Sequence, residues 1–297
     1  MNVGIVGLGR MGLSIAQRLL KAKIPVFGFD VNEESRKHAA DQGIEVVCDL
    51  QDLASKAHVF WLMIPEGDSL DCVIEKLSFC AQPGDIIVDG GNSFFENTIR
   101  RHAMLAKKNI YYLDCGTSGG IKGKEIGFSL MIGGEQKIFE KLEPLFKAIA
   151  APHGYGYMGP SGAGHYVKMV HNGVEYSLLQ AYAEGFHVLK TGHYKDLDFE
   201  KITQVWSNGS VIRSWIVDLL HDIFSRDQDF KSISGEIGEN MTGRWAIEEA
   251  HKQKISMDLL ERALQIREES RKTGGDYATK IVAMLRNAFG GHEVKKK

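Results

Sequence analysis

Short apolar segments alternate with amphipathic stretches through the first half of the chain. A helical spacing of apolar positions over residues 10–22 follows the first of them, and helical or loop stretches separate most of the later ones. Short apolar runs that alternate with helices are typical of parallel strands buried on both faces. The sequence therefore predicts an α/β domain with a mostly parallel, doubly wound sheet. The predicted strands cover residues 2–7, 25–30, 45–48, 59–64, 86–89, 111–115 and 129–132.

The pattern changes at residues 151–165, a segment rich in glycine and proline. Such a composition indicates a boundary between domains, and the chain beyond it has helical spacing with few helix-breaking residues. We therefore predict an α/β domain over residues 1–160 and an all-α domain over residues 161–297. The helical patterns of the second domain cover residues 162–191, 199–224, 243–253, 257–273 and 276–289.

The composition narrows the class of protein. The chain has 297 residues, of which 43% are hydrophobic and 25% charged, and its formal net charge is −2. Because it has no basic stripe we expect no nucleic-acid partner, and because it has no apolar run of roughly 18 residues we expect no membrane span. The four cysteines lack the spacing of metal ligands, so we expect no metal. Free thiols without an export signal indicate a cytoplasmic protein.

A glycine triplet lies between the first predicted strand and its helix. Gly7 permits a tight turn, Gly9 lets backbone N–H groups approach a pyrophosphate, and Gly12 allows helix and strand to pack closely. Together with an acidic residue after the next strand, this context is that of a Rossmann-type dinucleotide site. The predicted cofactor-binding residues are Gly7, Leu8, Gly9, Arg10, Met11, Gly12, Asp30, Ile64, Pro65 and Asn92.

Asp30 decides which dinucleotide is expected. Its carboxylate ends the second predicted strand, where it can accept hydrogen bonds from ribose hydroxyls and would repel a 2′-phosphate. No arginine follows it immediately to hold such a phosphate. We therefore predict NAD rather than NADP. The alternative role for Asp30 is that of a turn-forming residue at the end of a strand.

One helical face in the second half of the chain carries several polar groups. Lys168, His171, Asn172 and Glu175 follow one another at helical spacing within a mostly apolar stretch. A buried lysine is costly unless it is used or paired, and Lys168 and Glu175 would lie about 10 Å apart along the helix, too far for a direct pair. A solvated helix face is the alternative. The arrangement favours a surface that holds a polar substrate and moves protons.

Two more glycine-rich loops follow predicted strands. Asn92 lies in the loop after residues 86–89, and Ser118, Gly119 and Gly120 follow residues 111–115. In an open α/β sheet, ligands bind beyond the carboxyl ends of the strands, so both loops belong near the cofactor. The hydroxyl and backbone donors of the second loop suit a carboxylate. Taken singly, each loop is more simply explained as a turn.

Together these segments resemble the 6-phosphogluconate dehydrogenase family, within the β-hydroxyacid dehydrogenase superfamily. The resemblance covers the whole chain and is carried, in order, by GLGRMG, DGGNS, GTSGG, GAGHYVKMVHNGVEY, GRW at 243–245 and RNAFGGH at 286–292. Lys168 and Asn172 are general to the superfamily, whereas His171 and Glu175 mark its decarboxylating member. With 297 residues, the chain is similar to the short form, which lacks a duplicated helical unit.

The resemblance implies oxidative decarboxylation of 6-phosphogluconate to ribulose 5-phosphate and carbon dioxide. Lys168 would accept the proton of the C3 hydroxyl as hydride passes to nicotinamide. Once the carboxylate has left, Glu175 would protonate C1 of the pentose, which is C2 of the original acid. Arg267 and Arg286 would bind the phosphate of the sugar acid. The substrate-binding residues that the resemblance implies are Asn92, Ser118, Gly119, Gly120, His171, Asn172, Tyr176, Thr242, Arg267, Arg286 and His292.

The resemblance also implies a homodimer or homotetramer. In the family's long form the C-terminal tail reaches into the partner subunit, and for the short form both the chain's own site and the partner's site stay open. One position departs from the family pattern, because Asn240 stands where longer relatives have a phosphate-binding lysine. The missing charge would weaken phosphate binding or relax the preference toward an unphosphorylated acid.

Two other functions fit parts of the sequence. A non-decarboxylating 3-hydroxyacid dehydrogenase, of the 3-hydroxyisobutyrate or tartronate semialdehyde type, would share GLGRMG, the loop of Ser118, Gly119 and Gly120, Lys168 and Asn172. It would not need His171, Glu175 or the RNAFGGH segment. A non-catalytic NAD-binding regulator would be expected to have lost part of the polar helix face, which is intact here. The sequence favours the decarboxylating enzyme.

Overall fold

The computed structural model describes residues 1–296. The chain divides into two compact units, Met1–Met169 and Val170–Lys297, and one long helix, Ala163–Thr191, contributes to both. The predicted fold class is confirmed, because an α/β unit with a mostly parallel sheet is followed by a helical unit. The domain boundary after residue 160 stays a prediction.

The first unit is built on one eight-stranded sheet. Its strands are β1 (Val3–Val6), β2 (Val26–Phe29), β3 (Glu45–Val46), β4 (Val59–Leu62), β5 (Ile86–Asp89), β6 (Tyr111–Ser118), β7 (Phe128–Gly133) and β8 (Ala150–Gly159). Their spatial order is β3-β2-β1-β4-β5-β6-β7-β8, and every neighbouring pair is parallel except β6 and β7. The order reverses between β1 and β4, which is where doubly wound sheets bind their ligands.

Helices cover both faces of this sheet. They are α1 (Arg10–Lys21), α2 (Glu33–Asp41), α3 (Leu50–Lys56), α4 (Asp68–Cys80), α5 (Phe95–Ala106), α6 (Gly123–Ile126), α7 (Gln136–Ile149) and the start of α8 (Ala163–Thr191). Ile5 and Trp61 belong to one buried cluster, whereas their chain neighbours Val6 and Leu62 belong to another. Successive strand residues point to opposite faces, so the apolar runs predict both cores at once.

The segment predicted as a domain boundary contains a strand, β8. β8 occupies most of residues 151–165 and pairs with β7 through two shifts of register. A Cβ on Gly154 would lie 2.9 Å from the backbone oxygen of Phe128, so this glycine permits close backbone packing rather than a turn. Pro152 is tolerated because β8 is an edge strand. Close packing and turn formation select the same residue type, so glycine content alone does not distinguish a strand from a linker.

The second unit is helical. Besides the rest of α8 it contains α9 (Phe199–Ser207), α10 (Trp215–Phe224), α11 (Thr242–Lys252), α12 (Asp258–Thr273) and α13 (Tyr277–Gly290). Phe186, Phe199, Phe224 and Phe230 form its aromatic core. The single helix predicted over residues 199–224 is two helices. Gly209, with φ +92°, ends the first, and the Ser214 side chain accepts a hydrogen bond from the backbone of Val217 to begin the second.

Candidate active site

Gly7 and Gly12 are glycine for steric reasons, whereas Gly9 leaves space for a ligand. A Cβ on Gly7, which has φ +93°, would lie 2.5 Å from the backbone oxygen of Met63, and one on Gly12 would lie 1.9 Å from the Gly7 oxygen. The fold itself therefore excludes side chains at Gly7 and Gly12. A Cβ on Gly9 would meet no atom within 4 Å. Since Gly9 caps α1 without a side chain, the open space lies at a helix N-terminus, which suits the phosphates of a dinucleotide.

Asp30 ties this loop to the end of β2. One carboxylate oxygen accepts the backbone N–H of Leu8 at 2.7 Å, and the other accepts that of Asn32 at 2.8 Å. The turn-forming role is therefore real, and it fixes the carboxylate beside the glycine loop. Arg36 also lies here, and its guanidinium donates to the Asp30 carbonyl oxygen at 2.6 Å. Sequence reasoning missed this arginine because it comes a helical turn after the strand end.

The remaining predicted cofactor residues border the same loop. A Cβ on Gly7 would lie 3.6 Å from the Ile64 side chain, and one on Gly91 would lie 2.8 Å from the Ile64 carbonyl oxygen. The loop after β4, which continues with Pro65, therefore lies between the first glycine loop and the loop that carries Asn92. Leu8 is buried, Arg10 is exposed, and Met11 packs against the core.

A buried carboxylate shapes the loop after β5. Asp89 accepts hydrogen bonds from the Ser93 hydroxyl at 2.7 Å, the Tyr112 hydroxyl at 2.9 Å and the Gly91 backbone N–H at 3.1 Å. Burial and the neighbouring Asp89 raise the pKa of Tyr112, so its hydroxyl stays a donor. Asn92 is exposed at the tip of this loop.

Asp114 fixes the start of α8 to the sheet. Its two oxygens accept the backbone N–H groups of Gly162 at 2.8 Å and His165 at 2.9 Å, which are donors that a helix N-terminus leaves unsatisfied. The His165 ring completes the attachment, with Thr98 Oγ1 2.7 Å from Nδ1 and the Asp89 carbonyl 3.2 Å from Nε2. Sequence reasoning missed Asp114 and His165, because nothing along the chain connects a strand end to a helix start.

This attachment determines where Lys168 lies. A Cβ on Gly116 would be 2.3 Å from Cβ and 2.9 Å from Cγ of Lys168. Glycine at position 116 of β6 therefore leaves the space that the Lys168 side chain occupies. The Lys168 side chain is buried, with the residue 6% exposed. Ser118 ends β6, and Gly119 and Gly120 follow with φ +122° and +55°. Gly116 and Ser118 thus belong to one strand, and Lys168, on α8, packs against that strand at Gly116.

The next turns of α8 carry the other polar groups. Asn172 is buried, whereas His171 and Glu175 are partly exposed. His171 Nδ1 lies 3.1 Å from Asn172 Oδ1 and 4.0 Å from Glu175 Oε2. The three side chains therefore lie close together on one face of α8.

Two arginines of the helical unit are buried close together. Arg267 on α12 is 1% exposed, and its guanidinium carbon stacks 3.6 Å from the centre of the Tyr176 ring. Burial, with the positive charge of Arg286, lowers the pKa of Arg267 to about 10, and burial also lowers the pKa of Arg286 on α13. Within residues 1–296, Nη1 and Nη2 of Arg267 have no hydrogen-bond partner. Burying a cation whose hydrogen-bond donors are unsatisfied costs folding free energy unless an anion binds it.

Asn240 organises the groups around these arginines. Its side-chain oxygen accepts hydrogen bonds from the Tyr176 hydroxyl at 2.8 Å, the Thr242 backbone at 3.1 Å and the Thr242 hydroxyl. The Thr242 hydroxyl is in turn 3.4 Å from the Asn172 amide nitrogen. A lysine at 240 could accept none of these bonds. Asn240 therefore lacks the positive charge of the lysine in longer relatives, but its side chain accepts hydrogen bonds that a lysine could not accept.

The structure thus brings the predicted residues together within each unit. The glycine loop, Asp30, the loops after β5 and β6 and Lys168 belong to the first unit, and Asn172, Tyr176, Thr242, Arg267 and Arg286 to the second. His292 lies beyond α13, exposed, with its ring against Phe289. Over residues 1–296 no helix is both long and apolar enough to cross a bilayer, and no cluster of His, Cys, Asp and Glu has a metal-binding arrangement.

Comparison with known proteins agrees with these features. Residues 2–172 match the NAD binding domain of 6-phosphogluconate dehydrogenase, and residues 164–296 match the C-terminal domain of 6-phosphogluconate dehydrogenase. A similar protein is the NAD(+)-dependent, decarboxylating 6-phosphogluconate dehydrogenase of Haloferax volcanii, with 43% identity over 302 residues covering 100% of this chain and 99% of that one.

Solved structures show the same fold. The 6-phosphogluconate dehydrogenase of Plasmodium falciparum has a TM-score of 0.82 at 24% identity, covering 97% of this chain and 70% of its own. The 3-hydroxyisobutyrate dehydrogenase of Mycobacterium tuberculosis has a TM-score of 0.76 at 22% identity, covering 96% of this chain and 99% of its own. A 6-phosphogluconate dehydrogenase and a 3-hydroxyisobutyrate dehydrogenase therefore share this fold, so the fold alone does not separate the two activities.

Proposed function

Because the chain belongs to the 6-phosphogluconate dehydrogenase family, we propose that it converts 6-phosphogluconate to ribulose 5-phosphate and carbon dioxide, with NAD as the preferred hydride acceptor. The observation that carries the proposal is the buried Arg267, whose terminal nitrogens lack protein partners within residues 1–296 and which lies close enough to Arg286 to feel its charge. A bidentate phosphate would satisfy those donors and neutralise both cations. A small unphosphorylated hydroxyacid would leave them unpaired.

Lys168 and Glu175 divide the proton transfers. Lys168 accepts the proton of the C3 hydroxyl, and bound NAD supplies the acceptor for the C3 hydride. The protonated Lys168 then stabilises the C3 oxygen while the bond between C1 and C2 breaks and carbon dioxide leaves. Glu175 donates a proton to the former C2 of the acid, which becomes C1 of ribulose 5-phosphate. About two helical turns separate the two groups, so each can serve its own atom of one extended substrate.

The other predicted residues hold the substrate in this role. Ser118, Gly119 and Gly120 would bind the C1 carboxylate, and Asn92, His171 and Asn172 would bind the hydroxyls. Tyr176 and Thr242, oriented by Asn240, would bind the phosphate with Arg267 and Arg286. His292 would close the site.

The cofactor preference, the assembly and the location belong to the same proposal. The Asp30 carboxylate, which the Leu8 backbone orients, supports NAD over NADP, and the similar Haloferax volcanii protein is named as NAD-dependent.

A homodimer or homotetramer is supported by the exposed apolar face of α8, which a second copy would cover. The residues of this face are Val167, Val170, Val174, Leu178 and Val188. Free cysteines support a cytoplasmic location.

A comparison of substrates tests this proposal. With NAD in excess, kcat/KM for 6-phosphogluconate should exceed that for gluconate or 3-hydroxyisobutyrate by about 100-fold or more, because the analogues leave buried cations unpaired. The reaction is followed by absorbance of the reduced cofactor. Replacing NAD by NADP should lower kcat/KM. A preference for 3-hydroxyisobutyrate would instead establish the non-decarboxylating relative, and a protein that binds NAD but oxidises none of these acids would be the regulator.

A further inference from the structure

We propose that the anion site is completed within a single chain, with Arg267, Arg286 and the C-terminal tail all acting in their own subunit. This inference rests on the proposed function for the identity of the anion, a phosphate monoester. It differs from the expectation drawn from the family's long form, in which the tail serves the partner subunit. Three sets of contacts within the helical unit support it.

The first is the arginine pair itself. Arg267 lies on α12 and Arg286 on α13, and the charge of Arg286 is near enough to lower the pKa of Arg267. The Tyr176 ring stacks on the Arg267 guanidinium. Both arginines are buried, at 1% and 9% exposure, by residues of the same chain. Two like charges are held together here without a second subunit.

The second is the framing segment, residues 233–242, which leads into α11. A Cβ on Gly238 would lie 3.3 Å from Nη1 of Arg286, so this part of the segment runs directly against the guanidinium. Glu239 is anchored by Arg244 at 2.8 Å and by Arg271 at 3.0 Å. Asn240 then holds Tyr176. The segment therefore contacts Arg286 at Gly238 and, through Asn240, holds the Tyr176 ring that stacks on Arg267.

The third is the path of the tail. After α13 the chain reverses at Gly291, which has φ +61°, and the His292 carbonyl accepts a hydrogen bond from the Asn287 amide at 2.8 Å. The tail then returns to the start of the framing segment. There the Lys295 carbonyl accepts the Ser234 backbone N–H at 2.8 Å.

Two more contacts hold the tail in this position. The Lys295 ammonium lies 2.6 Å from Glu236, and Ile233 forms an antiparallel bridge with Lys296. The exposed ion pair adds little energy by itself, but backbone pairing gives it a defined register. The tail therefore pairs with the framing segment of its own chain, and the same segment contacts Arg286 at Gly238.

Hetero-oligomers of two tagged chains test the inference. In the first pairing one chain carries Arg267→Met and the other Arg286→Met, and both tags are used in purification. In the second pairing one chain carries both substitutions and the other is wild type. Binding of inorganic phosphate is measured by calorimetry, and turnover of 6-phosphogluconate is measured in parallel. Each single variant alone should bind phosphate at least about tenfold more weakly than the wild type.

The two arrangements predict opposite results. If the site is completed in one chain, the first pairing recovers no wild-type site and the second retains roughly half of them. If Arg286 comes from the partner, the first pairing recovers roughly half and the second retains none, which overturns the inference. Unchanged phosphate binding in either single variant also overturns it. A monomeric wild-type chain that binds phosphate supports it directly.

The binding readout keeps this inference separate from the proposed reaction. A wild-type protein that binds phosphate but does not convert 6-phosphogluconate would contradict the proposed function, while the two pairings would still distinguish the arrangements. Arg262→Met is the matched control, because Arg262 is an exposed arginine on the same helix as Arg267 and should bind phosphate like the wild type. If Arg286→Met does not fold, as judged by circular dichroism, Arg286→Gln replaces it.

Discussion

Replacing Lys168 with methionine should lower kcat for oxidation of 6-phosphogluconate by on the order of 1,000-fold, while the Kd for NAD changes little. General acid–base catalysis by one positioned group contributes roughly 100- to 10,000-fold, and methionine has neither the proton acceptor nor the later charge. The methionine side chain is apolar and nearly isosteric with lysine, so it can occupy the same space beside Gly116. Stopped-flow absorbance gives kcat, and quenching of protein fluorescence gives NAD affinity.

The control for this variant is Lys147→Met on α7, because Lys147 is exposed. It should retain the wild-type kcat. Turnover within a few fold of the wild type in Lys168→Met would show that another group removes the proton, and the polar face of α8 would then be structural. A loss of NAD binding would mean that the variant disturbs the glycine loop.

The Arg267→Met variant should have opposite effects on substrate binding and stability. Loss of two charge-assisted hydrogen bonds, worth about 1.5 kcal/mol or more each, predicts a KM for 6-phosphogluconate raised by about 100-fold. The unliganded variant should nevertheless be more stable than the wild type. Burial lowers the pKa of Arg267 to about 10, which costs the folded protein on the order of 3 kcal/mol.

The pH dependence of that cost has a definite sign. The unfolded state binds the Arg267 proton more tightly than the folded state, so the cost is fully present at neutral pH and declines only as the pH rises above about 10. Thermal unfolding at neutral pH without phosphate should therefore show a higher Tm for Arg267→Met. Added phosphate should raise the Tm of the wild type but not of the variant. Arg262→Met should behave like the wild type, and a destabilised Arg267→Met would mean that the guanidinium is structural.

Local patterns predicted most of the α/β unit, because its strands are short apolar runs and its helices have regular spacing. They failed where one residue type serves two purposes. The glycines near Gly154 look like a linker but allow β8 to pack closely. The helical pattern over residues 199–224 predicted one helix in spite of the Ser–Asn–Gly–Ser stretch at 207–210. The chain forms two helices there because Gly209 takes a positive φ.

Some residues of the candidate site could likewise be predicted from local sequence, and others could not. Gly7, Gly9 and Gly12 were predictable because turn, helix start and acidic residue follow one another along the chain. Asp114, His165 and Asn240 were not, since each acts on a segment distant in sequence: Asp114 accepts hydrogen bonds from α8, and Asn240 orients Tyr176. Arg267 and Arg286 were predicted through the family resemblance alone. On the sequence they look like surface arginines of amphipathic helices, and only the fold reveals that both are buried.

The fate of the C1 carboxylate is the most direct test of the central claim. The wild-type protein is incubated with NAD and 6-phosphogluconate labelled with carbon-14 at C1, and reduced cofactor and released gas are measured in the same vessel. Decarboxylation predicts labelled carbon dioxide in equimolar amount to the reduced NAD, with ribulose 5-phosphate as the product. Reduced NAD formed while the label stays in a sugar acid would contradict the account, because oxidation would then proceed without loss of C1.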